Sequence, residues 1–312
     1  MVAKVSILIP TKNAGSLFEN VLNSIRNQEH EEVVDLLIVD SGSNDETLEI
    51  AKKYDARILE IPAHEFNHGL TRNYGIQKCY GDIIVLMTQD AVPQGKLWLK
   101  GIVDTFEDER IAGVYVKQIP REDADVLTKR NLQNWFTGRD TFSLSRIKCL
   151  KEFTQLTPAE KSHLCVFDDV CSAIRRKAWE QIPFRRNDFG EDIDWAKTVL
   201  ESGWLIAYQP KAAVIHSHNR SLVYLYKRTY MTHRKLYELF QLETIPSLLH
   251  LLHSVIARTI IDLRYVLIHE PDIKKKLKLS LRAPFLLTAS NLGQYRGARD
   301  EKKSICVKIK GV

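Results

Sequence analysis

Short branched apolar runs alternate with stretches of helical spacing from Val5 to Gln118. VSILIP (Val5 to Pro10) is a buried-strand pattern, and LFENVLNSIRNQ after it places apolar residues at helical intervals. VVDLLIVD (Val33 to Asp40) predicts a second strand. The segment SGSNDETLEIAKKY then predicts a helix, with Ser43 and Glu46 at the spacing of a capping box. ARILEIP predicts a third strand, FNHGLTRNYG (Phe66 to Gly75) leads into a helix ending near Gly81, and DIIVLMTQD (Asp82 to Asp90) is a fourth strand that stops on a carboxylate. Helix LWLKGIVDTF and strand IAGVYVKQ continue the alternation, which implies a largely parallel α/β sheet covered on both faces.

Periodicity fails from Arg121 to about Leu164, so this stretch reads as an irregular segment. VCSAIRRKAWEQI (Val170 to Ile182) returns to strand and helix, and FGEDIDWAKTVLESGW predicts a helix ending near Gly203. Residues 1–220 form the expected α/β domain and 221–312 a helical, basic and aromatic extension. In that extension SLVYLYKRTYMTHRKLYELF mixes tyrosines with cations, while PSLLHLLHSVIARTIIDLRYVLI is apolar but broken by charges and histidines.

Composition narrows the class. At 312 residues, 44% hydrophobic and 27% charged, the chain has the profile of a folded globular protein. No apolar run reaches the roughly 18 residues needed to span a bilayer, and no cleavage site follows the first apolar run, so a cytoplasmic protein is expected. Five cysteines without a C-x-x-C pair fit a reducing compartment and do not indicate zinc. The net charge of +6 is modest, but KKKLKLSLR (Lys274 to Arg282) concentrates cations near the end, favouring an anionic surface there. No nucleic-acid motif is present.

Parallel sheets bind ligands beyond the carboxyl ends of their strands, where Asp40 and Asp90 both fall. Taken singly, each reads as a turn residue; together, with a polar cluster between them, they point to a site. No glycine-rich phosphate cradle follows any of these strands, so a bound nucleotide would need a metal and side chains to hold its diphosphate. Asp90 offers an oxygen ligand for a hard cation, and Thr11, Lys12 and Asn13 stand where a base and ribose would lie.

Asp188 and Glu191 have N-cap and N3 spacing, which makes Glu191 a reciprocal cap, with acceptor contact as its alternative role. Asp192 has no such duty. Its place in the first helical turn predicts a deprotonated carboxylate held by the macrodipole and able to act as a general base. His216 and His218, two apart on an expected strand, share a face and fit a metal or diphosphate contact.

In order along the chain, IPTKN, IVDSGSND, FNHGLTRNYG, LMTQDA, FGEDIDW and VIHSHN resemble the motifs of family 2 glycosyltransferases of GT-A fold, and FNHGLTRN, TQDA and HSHN resemble the rhamnosyltransferase branch. The resemblance covers roughly the first 220 residues. It implies inverting transfer of a sugar, L-rhamnose from dTDP-L-rhamnose, to a hydroxyl of a glycan or lipid-linked glycan in bacterial cell-surface polysaccharide synthesis. It also implies Mg²⁺ or Mn²⁺ held by Asp90 with His216 or His218, Asp192 as base, and donor contacts from Pro10, Thr11, Lys12, Asn13, Asp40, His68, Arg72, Asn73, Gln89 and Asp90. The family's D-x-D motif reads Thr88, Gln89, Asp90 here, without its first carboxylate. A UDP-hexose donor and a nucleotidyltransferase are the competing readings. The carboxyl-terminal helices imply peripheral contact with the inner face of the cell membrane, or an oligomer surface.

Overall fold

The computed structural model describes residues 4–29, 35–305 and 307. Among these, nine strands form one sheet: β1 (Val5–Thr11), β2 (Asp35–Asp40), β3 (Arg57–Glu60), β4 (Ile83–Met87), β5 (Val92–Pro93), β6 (Ile111–Ile119), β7 (Ser143–Ser145), β8 (Cys171–Arg175) and β9 (Leu205–Ile215). Their order is β3-β2-β1-β4-β8-β6-β9-β5, with β7 pairing on β9. The pairs among β1, β2, β3 and β4 are parallel, as is β6 with β9, whereas β8 runs antiparallel to both β4 and β6. The start of β8 therefore lies at the same sheet edge as the end of β4, where Met87 is opposite Cys171.

Helices α1 (Leu17–Arg26), α2 (Thr47–Lys53), α3 (His68–Lys78) and α4 (Trp98–Thr105) connect the parallel strands as the alternation predicts. α1 buries Phe18, Val21, Leu22 and Ile25, one stripe at helical spacing, in the same core as Ile7, Ile9 and Val85. Burial of each such side chain contributes about 1.5–3 kcal/mol, so this stripe is a main anchor of the first α/β unit. α3 lies unusually close to β1. A Cβ at Gly75 would sit 2.5 Å from Leu8 Cδ1, so glycine is what lets the helix carry its polar residues this near the sheet.

Two sequence expectations change. Ser43 and Glu46 do not form a capping box: Glu46 precedes α2 without a side-chain cap, because the Ser43 hydroxyl is taken by Asp40 Oδ1 at 2.5 Å. The stretch from Arg121 to Leu164 is not irregular throughout, since it holds α5 (Val126–Gln133), α6 (Leu150–Gln155), α7 (Pro158–Leu164) and β7. The second strand is described from Asp35; Val33 and Val34 lie outside the described residues.

The chain divides into two compact units. The first comprises Met1–Arg121, Leu132–Gln155 and Leu164–Ser217, and includes α8 (Arg176–Gln181) and α9 (Glu191–Glu201). The second comprises Glu122–Asn131, Leu156–His163 and His218–Val312, with α10 (Leu222–Phe240), α11 (Leu248–His269) and α12 (Ile273–Lys302). Within the second unit Leu127, Val266, Leu279 and Ala283 form a small core, and the Arg130 guanidinium meets Asp262 at 2.6 Å. No helix among the described residues is long and apolar enough to cross a membrane.

Candidate active site

Strand ends and short loops build the first side of the site. Asp40, at the end of β2, is fully buried and its carboxylate is saturated locally. Oδ1 accepts from Thr11 Oγ1 at 2.9 Å and from the Ser43 hydroxyl, while Oδ2 accepts from the backbone N–H groups of Gly42 at 2.9 Å and Ser43 at 2.8 Å. The expected direct donor contact by Asp40 is therefore replaced by a loop-organising role, because a desolvated carboxylate is stable only when its oxygens are satisfied. Ser43 in turn accepts the Asn13 backbone N–H at 2.8 Å, and Asn13 Oδ1 accepts from Asn44 N–H at 2.9 Å. Asn13 has a positive φ of 47°, which turns the chain out of β1.

Gln89 closes the same edge. Its Oε1 accepts Lys12 N–H at 2.8 Å and its Nε2 donates to Lys12 O at 3.2 Å, clipping the loop after β1 to the turn after β4. Its amide is thus committed to the backbone. Pro10 is half-buried and Thr11 buried, leaving the exposed Lys12 and Asn13 side chains at the rim.

The polar stretch of α3 behaves differently from its reading as a nucleotide-holding cluster. Asn67 caps the helix, accepting from Leu70 N–H at 3.2 Å and donating to Asn187 O at 2.7 Å. Asn73 donates to Phe184 O at 2.7 Å and accepts from Trp179 Nε1 at 2.8 Å and Phe184 N–H at 3.1 Å, so its amide clamps the segment before α9. Arg72 is buried, with Nε 3.3 Å from Asp169 Oδ2 and an Nη1 ion pair to Glu191 Oε1. The expected donor contacts of Arg72 and Asn73 are corrected accordingly: both face protein groups beneath the site. His68 opens α3 half-buried, edge-on to Phe66 with ring centroids 4.9 Å apart.

Arg72 explains Glu191. Gly190, in the left-handed region at φ 74°, precedes the first turn of α9, and no side chain caps that end. Glu191 is consequently not the N3 partner of Asp188. Its carboxylate is buried against the Arg72 guanidinium. Burial opposes the Arg72 charge, but Asp169, Glu191 and Asp192 outweigh it and hold its pKa above the ordinary arginine value.

Asp192 is half-buried, and its Oδ1 accepts Ile193 N–H at 2.8 Å. The expectation that the helix terminus keeps it readily ionised fails. Burial raises its pKa well above the usual carboxylate range, and the negative charges of Glu191, Asp169 and Asp168 raise it further. Asp169, buried and accepting from Ser172 Oγ at 2.7 Å, is likewise pushed up to about 6, chiefly by burial and against the pull of Arg72. A carboxylate with a raised pKa is a stronger proton acceptor once ionised, which suits a base working near neutrality.

Asp90, His216 and His218 lie together, although the two histidines follow the end of β9 and do not share a strand face as their spacing predicted. Each contributes one ligand atom, and these atoms all lie within 4.8 Å of one another; His218 follows His216 by two residues on the run of chain leaving β9. His216 Nε2 is 3.7 Å from Asp90 Oδ1, a separation that two ligands of one ion at roughly 2 Å each can span. One carboxylate and two imidazoles suit a divalent ion such as Mn²⁺ better than Ca²⁺, which prefers oxygen ligands alone. Arg121 also reaches Asp90, 3.6 Å from Oδ2 and donating to its carbonyl at 3.1 Å. His216 Nδ1 pairs with Gln118 Oε1 at 3.1 Å, and Gln118 Nε2 donates to Asp168 Oδ2 at 3.0 Å.

Sequence reasoning missed Gln118, Arg121, Asp168 and Asp169. The adjacent carboxylates in VFDDVCS, just before a strand, were the available signal.

Comparison with known proteins follows the same outline. Residues 6–182 match the family model "Glycosyl transferase family 2". The O-antigen chain rhamnosyltransferase RfbN of Salmonella typhimurium is 33% identical over 220 residues, 69% of this chain and 67% of that protein. The corresponding WbaN of Salmonella anatum is 32% identical over 219 residues, 69% of this chain and 66% of that protein. Among solved structures, the mannosyltransferase PcManGT from Pyrobaculum calidifontis in complex with GDP-Man and Mn²⁺ superposes with a TM-score of 0.55 at 17% identity, covering 97% of this chain and 75% of that one.

Proposed function

The chain belongs to glycosyl transferase family 2 and is a glycosyltransferase of GT-A fold, and from that premise we propose that it moves L-rhamnose from dTDP-L-rhamnose to a hydroxyl of a glycan or lipid-linked glycan. Membership sets aside the nucleotidyltransferase reading. The observation that carries the catalytic part of this reading is Asp168. It bonds to Gln118, which holds His216 of the cation cluster, and its charge also acts on Asp192, so the diphosphate side and the base side flank one residue.

In this reading Asp192 takes the proton from the acceptor hydroxyl as its oxygen attacks the anomeric carbon, and the nucleoside diphosphate leaves from the opposite face. Glu191, Asp169 and Arg72 set the charge around Asp192 from beneath. Asp90 and His216, with His218, would hold Mg²⁺ or Mn²⁺, which supplies Lewis-acid stabilisation of the departing diphosphate. The relatives named as O-antigen rhamnosyltransferases support the sugar and the polysaccharide acceptor class.

The second unit bears exposed apolar residues at four-residue spacing, Leu248, Leu252, Ile256 and Ile260 on α11 and Ile273, Leu277, Leu281 and Phe285 on α12, beside Lys274 and Lys275. This combination supports peripheral contact with an anionic membrane surface, at the cytoplasmic face where lipid-linked acceptors would be met. The test of the catalytic reading is release of dTDP from dTDP-L-rhamnose in the presence of Mn²⁺. Loss of release in Asp90→Ala, with the fold intact, is expected; release that is indifferent to both Asp90 and chelator would overturn the cation assignment.

A further inference from the structure

Gln118 lies on β6, is buried, and belongs to none of the motifs that identify the family here. Its neighbours decide how its amide must point. Asp168 as a carboxylate only accepts hydrogen bonds, so the contact at 3.0 Å requires the Gln118 NH₂ group on that side. The amide carbonyl then faces His216 Nδ1 at 3.1 Å, and a carbonyl only accepts. A neutral His216 must therefore carry its proton on Nδ1. Asp168 is itself held by Val170 N–H, which donates to Oδ1 at 2.9 Å, so the chain of bonds is anchored in the backbone at the start of β8.

We propose that Gln118, oriented by Asp168, is a positioning residue that fixes His216 as the Nδ1–H tautomer and so presents Nε2 as the ligand nitrogen beside Asp90. The consequence is chemical. An imidazole nitrogen binds a cation only when unprotonated, and the other tautomer would put a proton on the nitrogen that lies 3.7 Å from Asp90 Oδ1. A partner on the far nitrogen also fixes the ring plane, and losing such a partner typically lowers metal affinity 10- to 100-fold. This inference rests on the reading of Asp90 and His216 as cation ligands, but the tautomer is a property of the metal-free protein.

The experiment is ¹⁵N NMR of histidine-labelled, metal-free protein at a pH where imidazoles are neutral, with His216 assigned by the signal lost in His216→Gln, paired with Mn²⁺ titration followed by electron paramagnetic resonance. Wild-type protein should show a protonated Nδ1 and an unprotonated Nε2 at His216. Gln118→Met keeps the side-chain length and removes both hydrogen-bonding groups; it should lose that pattern and bind Mn²⁺ about 10- to 100-fold more weakly. The double variant Gln118→Glu with Asp168→Asn reverses the donor and acceptor between the two positions while still offering His216 an acceptor, so it should restore both the pattern and the affinity. A folded Gln118→Met with the wild-type tautomer and Mn²⁺ affinity overturns the proposal. If Gln118→Met does not fold, loss of the Nδ1–H pattern in the double variant overturns it instead. Wild-type protein that shows the tautomer but binds no Mn²⁺ refutes the cation reading and, with it, the role proposed for Gln118.

Discussion

Removing Arg72 while keeping its volume, as in Arg72→Met, leaves Asp169 and Glu191 buried without their common cation. Breaking a buried ion pair by deleting one partner costs about 3–5 kcal/mol, because the survivors keep their desolvation penalty. At about 2–4 °C per kcal/mol for domains of this size class, the melting temperature should fall by roughly 10 °C. The pH dependence carries a definite sign. Asp169 already has a folded-state pKa raised to about 6, and Arg72 is what pulls it down, so the variant raises it further. A carboxyl group with a raised folded pKa binds more protons folded than unfolded between its two pKa values, so its stability penalty is relieved as pH falls through the folded value. The loss in Arg72→Met should thus be largest near pH 7.5 and shrink toward about pH 5, and adding Glu191→Gln should recover part of it. Urea denaturation of both variants at the two pH values measures this. A loss below about 1 kcal/mol, or one that grows on acidification, would refute the buried-cluster reasoning.

Asp192→Asn should retain donor affinity in calorimetry yet lower kcat by at least about 10²-fold, since the amide keeps the shape and cannot take a proton; near-normal turnover would remove the base assignment. Because burial, and after it the charge of Glu191, raise the Asp192 pKa, the acidic limb of the kcat profile should lie above the ordinary aspartate range, and Glu191→Gln should move it to lower pH. On vesicles containing anionic lipid, changing Lys274, Lys275 and Lys276 to glutamine should weaken binding by roughly 1 kcal/mol per lysine that lies near the surface. Equal binding to neutral and anionic vesicles would assign those helices to another contact.

The sheet was legible because its strands are short branched apolar runs separated by amphipathic helices, a pattern that Ile7, Ile38 and Val85 still display as buried residues. β5 was not, since Val92–Pro93 has too few residues to show a period. Spacing alone also misjudged Ser43 and Glu191: each had a correct capping interval, but Asp40, three residues back, takes the Ser43 hydroxyl, and Arg72, brought in by α3, takes Glu191. Local patterns could find Asp90, Asp192 and the paired histidines, which lie in the turn after β4, in the first turn of α9 and on the chain leaving β9. They could not find Gln118, whose partners lie 50 and 98 residues away and meet only when β6, β8 and β9 assemble.

The donor is the most direct test of the functional account. Rhamnose carries a methyl group where glucose carries a hydroxymethyl, and an apolar contact of that size separates the two by about 1–3 kcal/mol, with hydroxyl recognition adding more. The measurement is kcat/KM for dTDP-L-rhamnose against UDP-glucose, UDP-N-acetylglucosamine and UDP-galactose, with one acceptor and saturating Mn²⁺. The account predicts the highest value for dTDP-L-rhamnose, by at least about 10-fold. A higher value for any uridine donor would contradict it.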